Sequence, residues 1–441
     1  MHAQVMFLRI TIFNHILTKT LILFIKFLVY MKKNQMKAMI LAGGIVSSCL
    51  FVSCDKADDK MEKGSEKRTI SFENVVAVKD FVESGFFKGE GDEKVKEPII
   101  LPGSSVSFKF HAGKTQALMF ATMYGASKDW FFASQQPGIK LYDEQGKAMT
   151  GDVSSYVKLW DNGTKNDQTG AVESKPVMEV NGVNAAQLMK LSLNYNESSS
   201  EFTLTISNIS KGTKHETPFS PGVWAVSNYN GKKLLAEMPF FTPGKVSNPE
   251  ITAIAQMGKI DKMLAKLKAN TGIMTGISPA LVVVYSGTKN PIYELGKKDN
   301  GMGLKELSQS GNMEKIMNSL KKTAGVKRVY VAGNTPVAPG QKIMTGFEAM
   351  KGDKIAYATM FGFSNDWFYA NEKEISALYK GNVTLQTALL DSGTGVDQYP
   401  GAGNKQALFG GTPEQESMPI SIVGKKFPVP EVNQVLKITI E

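Results

Sequence analysis

Runs in which apolar and polar residues alternate recur along the chain: SVSFKF at 105–110, LMKLSLN at 188–194 and VLKITIE at 435–441. A period of two is the signature of a half-buried strand, whose successive side chains point to opposite faces. Two segments change period. ITAIAQMGKIDKMLAKLKA (251–269) and LKELSQSGNMEKIMNSLKK (304–322) space their apolar residues by three and four and place lysines in the last turn, where cations suit the negative end of a helix. The pattern predicts a mainly β protein with two helical segments, Ile251–Ala269 and Leu304–Lys322.

The alternating regions contain a duplication. ATMYGASKDWFFA (121–133) returns without a gap as ATMFGFSNDWFYA (358–370). Upstream lie the Pro-Gly turns Pro102-Gly103 and Pro339-Gly340; downstream lie the acidic turns WDNGTKNDQTG (160–170) and LDSGTGVDQYPG (390–401). A second pair, FSPGVWAVSN (219–228) and ISPALVVVYSG (277–287), lies between them, and each member leads towards a helix. Two distant copies imply two related domains rather than a stack of small repeats. The boundaries read as 67–275 and 276–441. The second domain runs in one order and the first presents its halves reversed, as a circular permutation would; the rival arrangement nests the two inner segments inside one larger sandwich.

Composition changes the picture mainly at the N-terminus. The formal charge of +10 is concentrated there: residues 1–53 hold six basic residues and no acids, which leaves +4 from residue 54 onward. With no basic stripe interleaved with aromatics, nucleic acid is not an expected partner. From Met31 the chain reads as a secretion signal, with Lys32, Lys33 and Lys37 before an apolar run and Phe51-Val52-Ser53-Cys54 at its end. That ending resembles a lipobox, which makes Cys54 the expected lipidation site, and the charged tether 54–66 has no core-forming residues. Residues 1–30 are read as an extension before the true start at Met31, or as an additional anchor segment. The expected location is the outer membrane of a Gram-negative bacterium, at the cell surface.

Candidate chemistry is sparse. After the signal only His111 and His215 remain, and neither recurs in the other copy, so no catalytic triad or zinc set is expected. His111 reads as a solvated hairpin residue. Oxygen ligands do recur: Asp129, Asp161 and Asp167 in one copy and Asp366, Asp391 and Asp397 in the other, beside Asn, Ser, Gly and Thr. Calcium takes six to eight such oxygens, and Asp-rich turns suit it. The competing reading is that these aspartates cap turns through backbone hydrogen bonds. Trp130 and Phe131, like Trp367 and Phe368, fall on alternating strand faces, so one of each pair is expected in the core and its neighbour towards a loop or partner.

These blocks resemble the spondin N-terminal domain, the F-spondin and mindin-like family, in its two-copy bacterial form. FTLTISNIS, FSPGVWAVSN and FFTPG are similar to the first half of that domain; SKDWFF with WDNGT, and SNDWFY with LDSGT, are similar to the second. The resemblance implies an antiparallel β-sandwich akin to calcium-binding membrane-targeting sandwiches, with calcium held by Asp129 and Asp161 in one domain and Asp366 and Asp391 in the other. The chain departs from the pattern after Gly-Thr, where Lys165 and Gly395 replace the usual acid and Asp167 and Asp397 follow two residues later. The function implied is non-catalytic, calcium-supported adhesion to an extracellular protein or glycan. The alternatives are a structural envelope-assembly protein and a hydrolase using paired carboxylates.

Overall fold

The computed structural model describes residues 64–91, 98–231 and 233–441; Cys54, the signal-like segment and most of the tether lie outside the described residues. The chain opens with β1 (Glu66–Asn74) and β2 (Phe81–Phe87), then β3 (Ser105–His111), β4 (Ala117–Tyr124), β5 (Trp130–Ser134), β6 (Ile139–Lys140) and β7 (Gly151–Asp152). It continues through β8 (Val157–Asp161), β9 (Met178–Glu179), β10 (Met189–Asn196), β11 (Glu201–Asn208) and β12 (Phe219–Ser227). Helices Pro249–Met257 and Asp261–Ala269 precede β13 (Ala280–Tyr285), and helices Leu304–Ser310 and Glu314–Leu320 precede β14 (Val326–Ala332). The remainder is β15 (Lys342–Ala349), β16 (Lys354–Met360), β17 (Trp367–Asn371), β18 (Ile375–Ser376), β19 (Gly381–Asn382), β20 (Thr387–Asp391), β21 (Ser421–Ile422) and β22 (Leu436–Ile440).

These strands form two antiparallel β-sandwiches with the same internal order. In the first, sheet β3-β11-β10-β7 faces sheet β2-β12-β4-β5-β8-β9; in the second, β15-β1-β22-β19 faces β14-β13-β16-β17-β20-β21. Position by position, β2 stands for β14, β12 for β13, β4 for β16 and β11 for β1. Aromatic rings fill the space between the sheets: Phe108 stacks on Trp224 with centroids 5.0 Å apart, and Phe72 meets Tyr357 edge-on at 5.5 Å. The helices cover the outer face of each larger sheet, so strand alternation there divides two cores rather than core from solvent. Val282 and Val284 of β13 face the inter-sheet core, and Leu281 and Val283 face the helices.

The expected boundary at residue 67 is corrected by the pairing of β1. Ile70 and Phe72 oppose Thr345 and Ile343 of β15 on one side and Ile440 and Ile438 of β22 on the other, so residues 66–74 lie in the middle of a sheet of the second sandwich. The first sandwich is therefore inserted between β1 and β13. Its entry and exit are adjacent: the N–H of Phe81 donates to the Asn270 carbonyl at 3.1 Å, and the N–H of Gly272 donates to the Phe81 carbonyl at 3.0 Å. The β10–β11 hairpin of the first sandwich occupies the place where, in the second, Glu441 pairs with Thr69.

Each expected helix is broken once, at Gly258 and at Gly311. Both glycines have left-handed backbones, with φ of +66° and +72°. A Cβ would come within 2.7 Å of the Ser220 side chain at the first and 3.0 Å of Ser278 at the second. Those serines open the duplicated Ser-Pro segments. The backbone N–H of Met123 donates to Ser220 Oγ at 3.0 Å and that of Met360 to Ser278 Oγ at 2.9 Å, while Thr122 and Thr359 donate to the serine carbonyls. The repeated Ala-Thr-Met thus latches a strand to the Ser-Pro bend beside it.

Candidate functional site: two acidic turns

Each Asp-Trp-Phe segment begins in a turn tied by a serine. Ser127 Oγ accepts the Trp130 N–H at 2.7 Å, and Ser364 Oγ accepts the Trp367 N–H at 3.0 Å. This places Asp129 and Asp366 under the following acidic turn, with no solvent exposure. Asp129 Oδ2 accepts the backbone N–H of Thr164 at 2.7 Å, its hydroxyl at 2.8 Å and the N–H of Lys165 at 2.8 Å. Asp366 Oδ2 accepts the same set from Thr394 and Gly395, and a further hydroxyl from Ser392 at 2.7 Å. The Oδ1 atoms of Asp129 and Asp366 are both buried without a hydrogen-bond partner.

The second aspartate of each set, Asp161 or Asp391, lies directly across from Trp130 or Trp367 in the neighbouring strand. Its Oδ1 accepts the N–H of Gly163 or Gly393 at 2.7 Å. Those glycines have φ of +69° and +66°, and a Cβ would collide with the carbonyl oxygen of Lys175 or Met418, which explains the Gly in both Asp-x-Gly-Thr turns. The third aspartate differs between copies. Asp167 Oδ1 accepts the Lys128 N–H at 3.1 Å, whereas Asp397 Oδ1 is buried without a partner.

The carboxylates of each set sit within electrostatic reach of one another. Burial, with repulsion from Asp129 and Asp167, raises the Asp161 carboxyl above its usual range, and burial with repulsion from Asp129 does the same to Asp167. The second set is more extreme. Burial first and Asp366 second push Asp391 up to about 7; burial, then Asp391 and Asp366, push Asp397 to about 7. Asp366 itself is raised by burial against the opposing pull of its hydrogen bonds.

Sequence reasoning missed several partners. Gln256 and Gln309, each the second-last residue of a helix, donate to Thr164 Oγ1 at 2.8 Å and Thr394 Oγ1 at 3.0 Å. Glu173 and Glu416 occupy matching places, with backbone N–H groups bonded to the carbonyls of Thr164 and Thr394. Glu416 is raised by burial and by Asp366. The segments joining Thr164 to Glu173 and Thr394 to Glu416 differ in length, which hides the match from an ungapped comparison.

Three expectations are corrected. The acidic turns are not open to solvent at their base, because Asp129 and Asp366 are enclosed by the donors they accept. None of the four aromatics faces a partner: Phe131 and Phe368 enter the helix-side cores, Trp367 is 1% exposed between the sheets, and Trp130 packs against the corresponding core. The helices covering the outer sheet face are the reason. His111 is no solvated hairpin residue either, since its Nδ1 lies 3.2 Å from Glu83 and its ring is stacked on Tyr399.

The Tyr399 contact belongs to a seam between the sandwiches. The turn that carries Asp397 runs on through residues 398–411 and packs on the lower loops of the first sandwich. Gln398 Nε2 donates to Ser200 Oγ, Gln116 Nε2 donates to the Gly401 carbonyl at 2.9 Å, and Tyr229 stacks on Phe409. The second acidic set thus adjoins the seam, while the first lies at the free end of the first sandwich.

Among the described residues, no three acidic, histidine or cysteine side chains converge tightly enough to hold an ion by themselves. Backbone carbonyls and water would have to complete a shell. Two clefts of about 410 and 430 Å3 are lined by residues such as Asn312 and Lys315, and Lys327 and Glu348; none of the six aspartates lines either. No helix among the described residues is long and apolar enough to cross a membrane. Neither a protein-family model nor a curated protein sequence matches the chain.

Proposed function

We propose that the protein is a cell-surface lipoprotein whose two spondin-like sandwiches bind an extracellular protein or glycan without catalysis, with calcium stabilising the acidic turns. The observation that carries this reading is the repetition of one unusual feature: a fully buried aspartate in each sandwich with one oxygen ringed by donors and the other left without a partner. A buried polar atom of this kind costs free energy unless something satisfies it. A hard cation beside Asp366 Oδ1 and Asp397 Oδ1 would do so and would also relieve the mutual repulsion among Asp366, Asp391 and Asp397. The first set supplies Asp129 Oδ1 with Asp161 and Asp167. When bound, calcium supplies positive charge and fixes the turn; the protein supplies the oxygens.

Isothermal calorimetry with calcium tests the metal. Binding at up to millimolar concentration that disappears in Asp366→Asn together with Asp391→Asn upholds the reading, and no heat in the wild-type chain removes it. Cys54→Ser tests the anchor: the protein should leave the membrane fraction, because lipid supplies the affinity. A second reading, carboxylate-dependent hydrolysis, draws on the carboxyls near 7, a value suited to general acid and base work. The absence of all six aspartates from the two clefts favours binding over that reading.

A further inference from the structure

The duplication provides an internal control for the molecular surface. Four large apolar side chains stand exposed around the acidic turn at the free end of the first sandwich: Val172 (79%), Val246 (64%), Met257 (57%) and Met178 (56%). Each has a structural counterpart in the second sandwich. Val172 bridges Lys165 as Gln415 bridges Gly395, and Val246 bridges Pro176 as Lys298 bridges Pro419. Met178 opposes Asp161 as Ser421 opposes Asp391, and Met257 ends its helix before Gly258 as Ser310 does before Gly311. All four counterparts are polar and exposed. The same fold with the same turn therefore tolerates polar residues at these positions, and only the free end carries an apolar cluster.

We propose that this face is a self-association surface that pairs with the same face of a second copy of the chain, which makes the adhesion homophilic; the inference rests on the adhesion reading and supplies its partner. Two observations favour a second copy. The rim carries both signs of charge, with exposed Lys128, Lys175 and Lys245 alongside Asp161, Asp167 and Glu179, so a two-fold pairing sets each sign against its opposite around an apolar centre. Anionic lipid would meet the same three acids as repulsion. The face also lies remote from the point where the described chain begins. β1 starts at Glu66, opposite Ala349, and the acidic turn of the second sandwich lies beyond the other end of that sheet. The first sandwich then stands on the seam, with its own acidic turn at its far end. Two copies tethered through their N-terminal segments to facing surfaces would present these faces to each other.

The contact is an end face rather than a broad flank, so weak pairing is expected, strengthened by multivalency when many copies are displayed. Sedimentation velocity of the full chain bearing Cys54→Ser, from roughly 1 to 200 µM, should show a concentration-dependent dimer. Val172→Glu with Val246→Glu should weaken it by about tenfold or more while leaving the melting temperature unchanged. Gln415→Glu with Lys298→Glu, at the counterpart positions, should leave the dimer intact. A chain monomeric throughout overturns the proposal, and so does a dimer insensitive to the Val172 and Val246 changes or equally sensitive to the counterpart changes. Phosphatidylcholine vesicles with and without phosphatidylglycerol form the second arm: binding to either that the Val172 and Val246 changes abolish, without dimerisation, assigns the face to lipid and overturns the proposal. Calorimetry separates the two readings. Calcium binding by a strictly monomeric chain keeps the metal and sinks the pairing; a dimer without calcium binding does the reverse.

Discussion

The ring of His111, at the end of a strand in the first sandwich, lies stacked on the ring of Tyr399 from the acidic turn of the second, with centroids 4.6 Å apart and planes 22° from parallel. Glu83 holds the other side of the imidazole, so the stack joins three separate segments. Close by, Gly113 faces Phe409, and a Cβ at Gly113 would run into that ring. Gly113→Val is therefore expected to open the seam, and small-angle scattering should report a larger radius of gyration. An unchanged curve would show that the seam absorbs the side chain.

Asp366 accepts four hydrogen bonds through one oxygen in a site closed to solvent. Asp366→Ala strands those donors and should cost about 3 kcal/mol or more, measured by denaturant unfolding. Asp129→Ala should cost less, because Asn162 stands where Ser392 donates to Asp366 and gives its side-chain N–H to Thr164 instead. Equal losses would mean that the Ser392 hydroxyl contributes nothing.

Gly163→Ala and Gly393→Ala each combine a left-handed backbone with a collision against a carbonyl oxygen, and each should destabilise by roughly 2 kcal/mol or more. Gly244→Ala has the same sign of φ but open space around it, so its loss should be smaller. Thermal melts of the three variants compare them directly.

Protonation gives the apo protein an inverted acid profile in one region. Asp391 and Asp397 keep their protons up to about pH 7, whereas in the unfolded chain they release them near pH 4. The stability these two groups contribute is full below about pH 4 and is lost as pH rises through about 7. In chelator, the melting temperature should fall between pH 5 and pH 8, and Asp391→Asn with Asp397→Asn should flatten that fall. Calcium should reverse it, since metal binding displaces the protons, and calorimetry in buffers of different ionisation enthalpy should reveal their release at pH 7. A slope unaffected by the double replacement would assign the pH dependence elsewhere.

How much of this was legible in the sequence depends on the range over which the signal acts. The strands and the duplication were readable because alternation and motif identity are local, and the Ala-Thr-Met and Asp-Trp-Phe segments use the same side chains for the same bonds in both copies. The helix breaks were not, since apolar spacing carries on through Met257-Gly258-Lys259; the left-handed glycine is dictated by Ser220, which arrives from a different strand. The destination of β1 was hidden for the same reason, as its partners β15 and β22 lie hundreds of residues away. Asp129 and Asp366 read as exposed turn acids because polarity alone predicts exposure; what encloses them is a set of backbone N–H groups that sequence does not display.

The adjacency of Phe81 and Asn270 also dictates an order of assembly. β1 leaves the ribosome long before β15 and β22, and it has no partner in the first sandwich. While the inserted segment is unfolded, joining β1 to its partners closes a loop through all of it. Once the first sandwich has formed, its ends are pinned side by side, and the same closure spans only the short connectors. With closure entropy growing as the logarithm of loop length, that shortening favours pairing of β1 by about 2–3 kcal/mol. The inserted sandwich thus acts as a folding template for its host, and a variant that slows the first sandwich should delay the second as well.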